Sequence, residues 1–366
     1  MTLLNDLKQI KKMDKENMAE LIAGMAEQCL AAYRRAKKIK LPEGWIFSGR
    51  SHLPKDRNDL LKNIVVSGMG GSAIGGELSK DLASGELKIP LIINRNWNLP
   101  ALVDKETLAI LVSFSGNTQE TIFCARQAVK KGAKIIVLAS GGKLAEIAKK
   151  EKIPVFLFKC PPPPRAGLGY TFMPIIAILE KFNLIKTSQW QIEKSLGLIK
   201  NFNQTFYPEV PTEKNRAKYL AYFIFDHLPV IIAPEKFASI ARRWKTQIAE
   251  NSKNFAFFET SPEIFHNSIE SQFPLRLKDE IAFLFFEALE KTHEMQKSVL
   301  AFQKLLDKNN IRWEKVPGFG NNLFIKMLSL VLLGDWVSFY LAILNKIDPT
   351  PVERIQWLKH HITRNT

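Results

Sequence analysis

Cysteine is scarce. The 366 residues hold three, Cys29, Cys124 and Cys160, and none forms a CxxC pair. That spacing excludes a disulfide framework, speaks against a zinc site and points to a reducing compartment, with the cytoplasm the expected location. Histidine is scarce too, with six residues. His293-Glu294 lacks a second histidine at metalloprotease spacing, and His360-His361, adjacent on a helix, point in different directions and chelate poorly. No metal is therefore expected. The stretch Met1 to Lys8 carries charge early and lacks an apolar core, so no signal peptide is expected. Long hydrophobic runs are missing except for Leu323 to Leu344, where Asp335 near the centre favours a buried helix over a membrane span. Acidic side chains are in deficit, 36 against 52 Lys and Arg, leaving a net charge of +16.

What is present is globular. A 46% hydrophobic and 24% charged composition excludes disorder, and the length suggests two domains with cores that need no staple. Residues 1–62 read as charged and helical, with helix-spaced apolar positions from Met18 to Tyr33. Continuous apolar runs then alternate with helical patterns. Strands are expected at 63–67, 91–93, 108–112, 134–139 and 155–158, with helices at 73–82, 119–131 and 144–150 between them. This alternation is the signature of a parallel sheet buried on both faces. Pro161 to Pro164 break it, and helical patterns follow at 170–182 and 191–203. A second alternation has strands at 228–233, 255–258, 281–286 and 312–316. Its helices fall at 237–249, 292–306, 322–344 and 352–361. The runs Phe255 to Phe258 and Phe283 to Phe286 are expected to be core strands rather than base-stacking surfaces. The expected fold is α/β, two doubly wound parallel-sheet domains, each three-layered. The expected division is 1–160, a connection at 161–212, and 213–366.

Two loops carry the chemistry. Ser67-Gly68-Met69-Gly70-Gly71-Ser72-Ala73 follows a strand and opens a helix, where backbone amides, the helix N-terminus and the Ser72 hydroxyl suit an anion. Gly68-x-Gly70-x-x-Ala73 also approaches a dinucleotide fingerprint, but Leu91-Ile92-Ile93-Asn94 supplies no acidic residue for a ribose, and no Lys-Ser/Thr pair makes a P-loop. Ser113-Phe114-Ser115-Gly116-Asn117-Thr118 is a second strand-to-helix loop with three hydroxyls. Alone it would be an ordinary Ser/Thr cap with a turn glycine. Two such loops at the carboxyl ends of two strands in one sheet favour a phosphate site.

These loops resemble the phosphate loops of SIS (sugar isomerase) domains. The segment Gly68 to Gly76 narrows the resemblance to the bifunctional phosphoglucose/phosphomannose isomerase family. Pro164-Arg165-Ala166, Arg243 to Lys253, Leu333-Gly334-Asp335-Trp336 and Asp348-Pro349-Thr350-Pro351-Val352 agree with it in order. The resemblance implies two SIS-type domains and an aldose–ketose isomerase acting on glucose 6-phosphate, and on mannose 6-phosphate as well, to give fructose 6-phosphate through a cis-enediol. Gly70, Gly71, Ser72, Ser113, Ser115 and Thr118 would hold the phosphate. Glu250 would be the base and Arg165 would stabilise the enediolate. His266 and Lys359 would open the ring, with Lys346 and His360 as competitors for the lysine's part. His266 would be donated across a homodimer interface, and Thr350 matches a threonine linked to tolerance of both epimers. The loop departs from the family pattern at Phe265 and Ser268, on either side of His266-Asn267. No cofactor is implied.

A non-catalytic SIS-domain sensor of sugar phosphates, with a DNA-binding module in 1–62, is the alternative reading. An amino-sugar synthase would need a nucleophilic cysteine where Thr2 stands. The basic residues are dispersed, as in Arg34-Arg35, Lys130-Lys131, Lys149-Lys150 and Arg242-Arg243. That dispersal argues against a nucleic-acid stripe and suits the attraction of a phosphorylated sugar.

Overall fold

The computed structural model describes residues 2–45, 61–159, 163–271, 277–287 and 293–364. Cys160, Pro161, Pro162 and part of the expected helical segment 1–62 lie outside them. The chain forms two compact units, one of residues 24–198 and one of 1–23 with 199–366.

The helices ahead of the first strand are α1 (Leu7–Met13), α2 (Met18–Ala23) and α3 (Met25–Ala36). Gly24 splits what the periodicity reads as a single helix from Met18 to Tyr33. In the unit 24–198, β1 (Asn63–Ser67), α4 (Gly71–Ala83), β2 (Leu91–Asn94), β3 (Thr107–Ser113) and α5 (Gln119–Lys130) come first. They are followed by β4 (Lys134–Ala139), α6 (Gly142–Lys150), β5 (Val155–Leu157) and α7 (Leu168–Lys181). The sheet is all parallel in the order β2-β1-β3-β4-β5. β1 and β3 are buried at every residue, which is why they read as unbroken apolar runs. Val65, Ala109, Leu111 and Val137 pack against Ala125 of α5 and Leu144 of α6. The other face carries α4, whose Gly76 lies so near Val66 and Ile93 that a Cβ would stand 2.8 Å from Val66 Cγ1. Strand order reverses between β1 and β3, and an open α/β sheet binds ligands at such a point, outside the carboxyl ends of its strands.

Helix α8 (Gln189–Asn203) follows, then α9 (Arg216–Ile224), a helix absent from the expected elements. The second sheet comprises β6 (Leu228–Pro234), β7 (Phe257–Ser261), β8 (Ile281–Phe286) and β9 (Arg312–Val316). It is parallel, in the order β7-β6-β8-β9. Its helices are α10 (Ala238–Gln247), α11 (His293–Lys308), α12 (Leu323–Leu344) and α13 (Glu353–Arg364). Phe283 and Phe285 pack with Phe302 of α11 as core residues. The expectation for Phe255 to Phe258 is corrected. The strand starts at Phe257 and is an edge strand, so Phe257 is 53% exposed, and Phe255, ahead of it, 81% exposed. Helix α12 is long and apolar enough to cross a membrane by composition, but its apolar stretch is wholly buried inside the protein. An all-round apolar helix of this kind is the core of its unit.

Within their unit, the first 23 residues are tied to residues 199–366 by side chains. Asn5 Oδ1 accepts from Thr212 N (3.0 Å), and Asn203 donates to the Ala23 carbonyl (2.9 Å) while accepting from Trp336 Nε1 (2.7 Å). Lys218 of α9 is fully buried beneath them, its ammonium donating to the carbonyls of Pro208 and Val210, each at 2.8 Å. Burial pulls this lysine down to about 8 from an ordinary 10.5, against the opposing pull of Glu209 and Glu213. The folded chain therefore releases the proton before the unfolded chain does. Lys218's contribution to stability is full above about pH 10.5 and is lost as pH falls through about 8. Denaturation midpoints measured from pH 7.5 to 10.5 should show that slope in the wild type and a flatter one in Lys218→Met.

Candidate active site

In the unit 24–198, β1 ends at Ser67 and the chain turns through Gly68 and Gly70 into α4. A Cβ at Gly68 would stand 2.9 Å from the Val112 carbonyl oxygen, and Gly70 has φ +50° with ψ −123°. Only glycine serves there. β3 ends at Ser113, and its loop lies against the first. Ser72 Oγ accepts from the Phe114 amide at 3.3 Å. Thr118 occupies the cap position of α5, yet its hydroxyl makes no cap bond. It pairs with Ser113 Oγ at 2.9 Å. Ser113 Oγ also accepts from Gly116 N (3.1 Å), and Ser115 Oγ from Asn117 N (3.1 Å). The Ser113–Thr118 pair uses one of its two O–H groups; hydroxyls that accept only from backbone amides, Ser72 and Ser115, keep theirs as donors, which is what an anion requires.

A third loop supports the second. Gly116 stands at φ +67°, and a Cβ there would overlap the Gly141 carbonyl oxygen at 1.7 Å. Lys143 N donates to Asn117 Oδ1 (3.1 Å), Leu144 N to the Gly116 carbonyl (2.9 Å), and the Ser140 hydroxyl to the Phe114 carbonyl. Ser140-Gly141-Gly142 is not among the expected site residues, although a serine and a glycine pair just after a strand mark it in the sequence.

Arg165 enters the same neighbourhood. It lies on a single tight turn, Pro164–Ala166, and is 4% exposed. Its Cα is 3.8 Å from the place a Cβ of Gly71 would take. Gln28 of α3 holds the turn, donating to the Ala166 carbonyl (3.1 Å) and accepting from Gly169 N (2.7 Å). Gly75 brings α4 against α7, since a Cβ there would be 2.5 Å from the Thr171 backbone. This unit thus gathers Gly70, Gly71, Ser72, Ser113, Ser115, Thr118 and Arg165 at one end of its sheet.

In the other unit, Glu250 lies on a wide turn of π geometry, Ile248–Ser252, that continues α10. Wide turns of this kind inside helices concentrate at functional sites. The turn is anchored from beneath. Arg243 pairs with Asp335 of α12 through Nε (3.0 Å) and Nη2 (2.7 Å), with side chains 3% and 5% exposed. Gln247 Nε2 donates to Asp335 Oδ1 (3.0 Å), and Asn251 Nδ2 to Ser338 Oγ (2.9 Å). Trp244 Nε1 donates to the Leu330 carbonyl (2.8 Å), and a Cβ on Gly334 would stand 2.2 Å from that nitrogen. The segments 243–253 and 333–336 are therefore one device. Gly334 makes room for an indole, Asp335 neutralises a guanidinium, and the result holds Glu250 at the rim of a cavity of about 580 Å³. Lys253, Asp348, Val352 and Arg354 also line that cavity. Thr350 is buried in the same loop, its amide on Asp348 Oδ1 (2.9 Å).

His266 is exposed at the end of a tight turn, Glu263–His266, beyond β7. Ile264 is buried beneath it, and Phe265 sits against Phe302 with ring centroids 6.2 Å apart. Phe265 thus anchors the turn in the core. Asn267 bridges to Glu263 Oε1 (2.7 Å) and caps Ser268 N (2.5 Å). Lys359 lies on α13, with its side chain outside the described part. Its competitor His360 is an exposed residue of the same helix, and Lys346 follows α12 at φ +57°.

Comparison with known proteins identifies the family of the chain. Residues 213–362 match the bacterial phospho-glucose isomerase C-terminal SIS domain. The chain is 36% identical over 348 residues to a bifunctional phosphoglucose/phosphomannose isomerase of Caldicellulosiruptor bescii, covering 94% of this chain and 98% of the relative. It is 33% identical over 313 residues to one of Thermoplasma acidophilum, covering 84% and 92%. A solved structure, the C-terminal domain of glucosamine-fructose-6-phosphate aminotransferase from Francisella tularensis, superposes with a TM-score of 0.65 at 16% identity. It covers 91% of this chain and 98% of that one, a likeness of fold alone. With full-length relatives at this identity, the chain belongs to the bifunctional phosphoglucose/phosphomannose isomerase family.

Proposed function

We propose that this enzyme interconverts glucose 6-phosphate and mannose 6-phosphate with fructose 6-phosphate. The phosphate rests on the hydroxyls of Ser72, Ser113, Ser115 and Thr118 and on the backbone at Gly70 and Gly71. His266 and Lys359 open the ring by moving the proton of the anomeric hydroxyl to the ring oxygen. Glu250 takes the proton from C2 of the aldehyde form and returns it to C1, the O2 hydroxyl proton passes to O1 between the two transfers, and the negative charge that develops on the enediol oxygens falls to Arg165. The carboxylate ends each turnover as it began, so no redox cofactor or metal is needed for the balance. C2 is planar in the enediol, which makes the intermediate common to both epimers, and Thr350 is the residue proposed to tolerate them.

His266 reaches the active site of the partner in a homodimer. The enzyme works in the cytoplasm, in glycolysis and gluconeogenesis.

One observation carries the reading. Two hydroxyl loops 42 residues apart in sequence share one end of one sheet, joined by the Ser72–Phe114 bond, with a buried arginine beside them. A coupled assay with glucose 6-phosphate and mannose 6-phosphate side by side, in EDTA, tests it. Turnover of both, unaffected by the chelator, is expected. No turnover of either, together with steeply salt-dependent DNA binding, would replace the enzyme with the sensor.

A further inference from the structure

Lys253 has no part in the chemistry above, yet its place is unusual. Its backbone stands at φ +61°, in the left-handed region where glycine or asparagine is the ordinary occupant at a helix end. The side chain accounts for the choice. Its ammonium turns back and donates to the carbonyls of Glu250 (2.6 Å), Asn251 (3.3 Å) and Pro349 (3.4 Å). The first two oxygens belong to the wide turn. A helix end leaves its last carbonyls without helical partners, and a cation is the group that suits them. The third belongs to the loop 348–352, which supplies another part of the wall of the cavity that Glu250 lines. Asn345, the residue that ends α12, makes a parallel tie, donating to the Ser252 carbonyl (2.9 Å) and to Asn254 Oδ1 (2.6 Å). A single ammonium therefore joins the backbone of Glu250 itself to a second wall segment of its cavity.

We propose that Lys253 is a positioning residue of the isomerase. By clamping the Glu250 carbonyl to the loop at Pro349 it fixes where the carboxylate stands relative to the bound sugar. The inference rests on the reading of Glu250 as the base. An error of about 1 Å in the placement of a proton-transfer group can cost about 100-fold in rate, so a clamp on that residue's own backbone bears directly on turnover.

Glycine provides the test, because it accepts φ +61° without strain and removes only the side chain. Lys253→Gly should keep or raise the melting temperature while kcat falls by about 10- to 100-fold and KM stays within about twofold. Lys253→Met, which keeps the backbone strain and loses the charge, should lose the same kcat and some stability. Lys253→Arg should recover part of the rate, since a guanidinium can also serve several carbonyls. Ethylammonium added to Lys253→Gly should restore turnover with increasing concentration. A merely structural lysine gives the opposite pattern, a lower melting temperature with kcat intact. The proposal is overturned if Lys253→Gly keeps kcat within about twofold of wild type, or if its whole loss lies in KM. Glu250→Gln in the same assay separates the two levels. Active wild type, inactive Glu250→Gln and unimpaired Lys253→Gly sink the clamp alone. Wild type without turnover sinks the isomerase reading and the clamp with it.

Discussion

Glu250→Gln should lower isomerase turnover by about 100- to 10,000-fold on both aldoses, the range general-base catalysis supplies. The amide has the shape of the carboxylate but cannot accept the C2 proton. The fold should be unaffected. The turn is held by ties that include the bidentate Arg243–Asp335 pair, the Asn251–Ser338 bond and the Lys253 ammonium on the Glu250 carbonyl. None of these uses the Glu250 carboxylate. Equal melting curves for the two proteins, with the rate lost in kcat, are the expected pair of results. A variant that retains full activity would move the base elsewhere in the protein.

Asp335→Ala should produce the largest loss of stability. It strips a guanidinium that is 3% exposed of two hydrogen bonds and also leaves Gln247 Nε2 without its acceptor. Removing one partner of a buried ion pair costs about 3–5 kcal/mol, because the other charge is left desolvated and uncompensated. Denaturant unfolding of the second unit, followed by the fluorescence of Trp244 and Trp336, would measure it. The double variant Arg243→Met, Asp335→Leu should recover most of the loss, since apolar groups can replace a buried pair at little cost. If the single variant unfolds at the wild-type midpoint, the pair does not support the turn that carries Glu250.

Much of the first sheet is legible in the sequence for a local reason. A strand buried on both faces is a run of consecutive apolar residues, and β1 and β4 lie where such runs predict them, at 63–67 and 134–139. The second sheet is less legible at its edge. Phe255 to Phe258 has the composition of a core strand, but Phe255 is exposed against the Glu250 cavity and the strand begins two residues later. Residue type does not say which strand ends up outermost. The two strand-to-helix loops are visible because glycines and hydroxyls stand next to one another in the chain. The support of Gly116 by Gly141 is a contact across 25 residues and shows only when the loops are folded together. His266 is legible as a residue of interest, while the reason its turn tolerates Phe265 is the packing of that ring on α11.

By itself the sequence determined the parallel α/β class, the two glycine- and hydroxyl-bearing loops and, through Glu250 and its neighbours, the family of the chain. These are properties of short stretches, where backbone freedom, hydroxyl donors and apolar runs act locally. The tertiary structure alone decided that residues 1–23 pack with 199–366, that α12 is a buried core helix, and that Gly334 and Asp335 exist to seat Trp244 and Arg243. Each of those depends on steric fit and charge neutralisation between residues about 90 or more positions apart, and such partners are found only when packing brings their surfaces together.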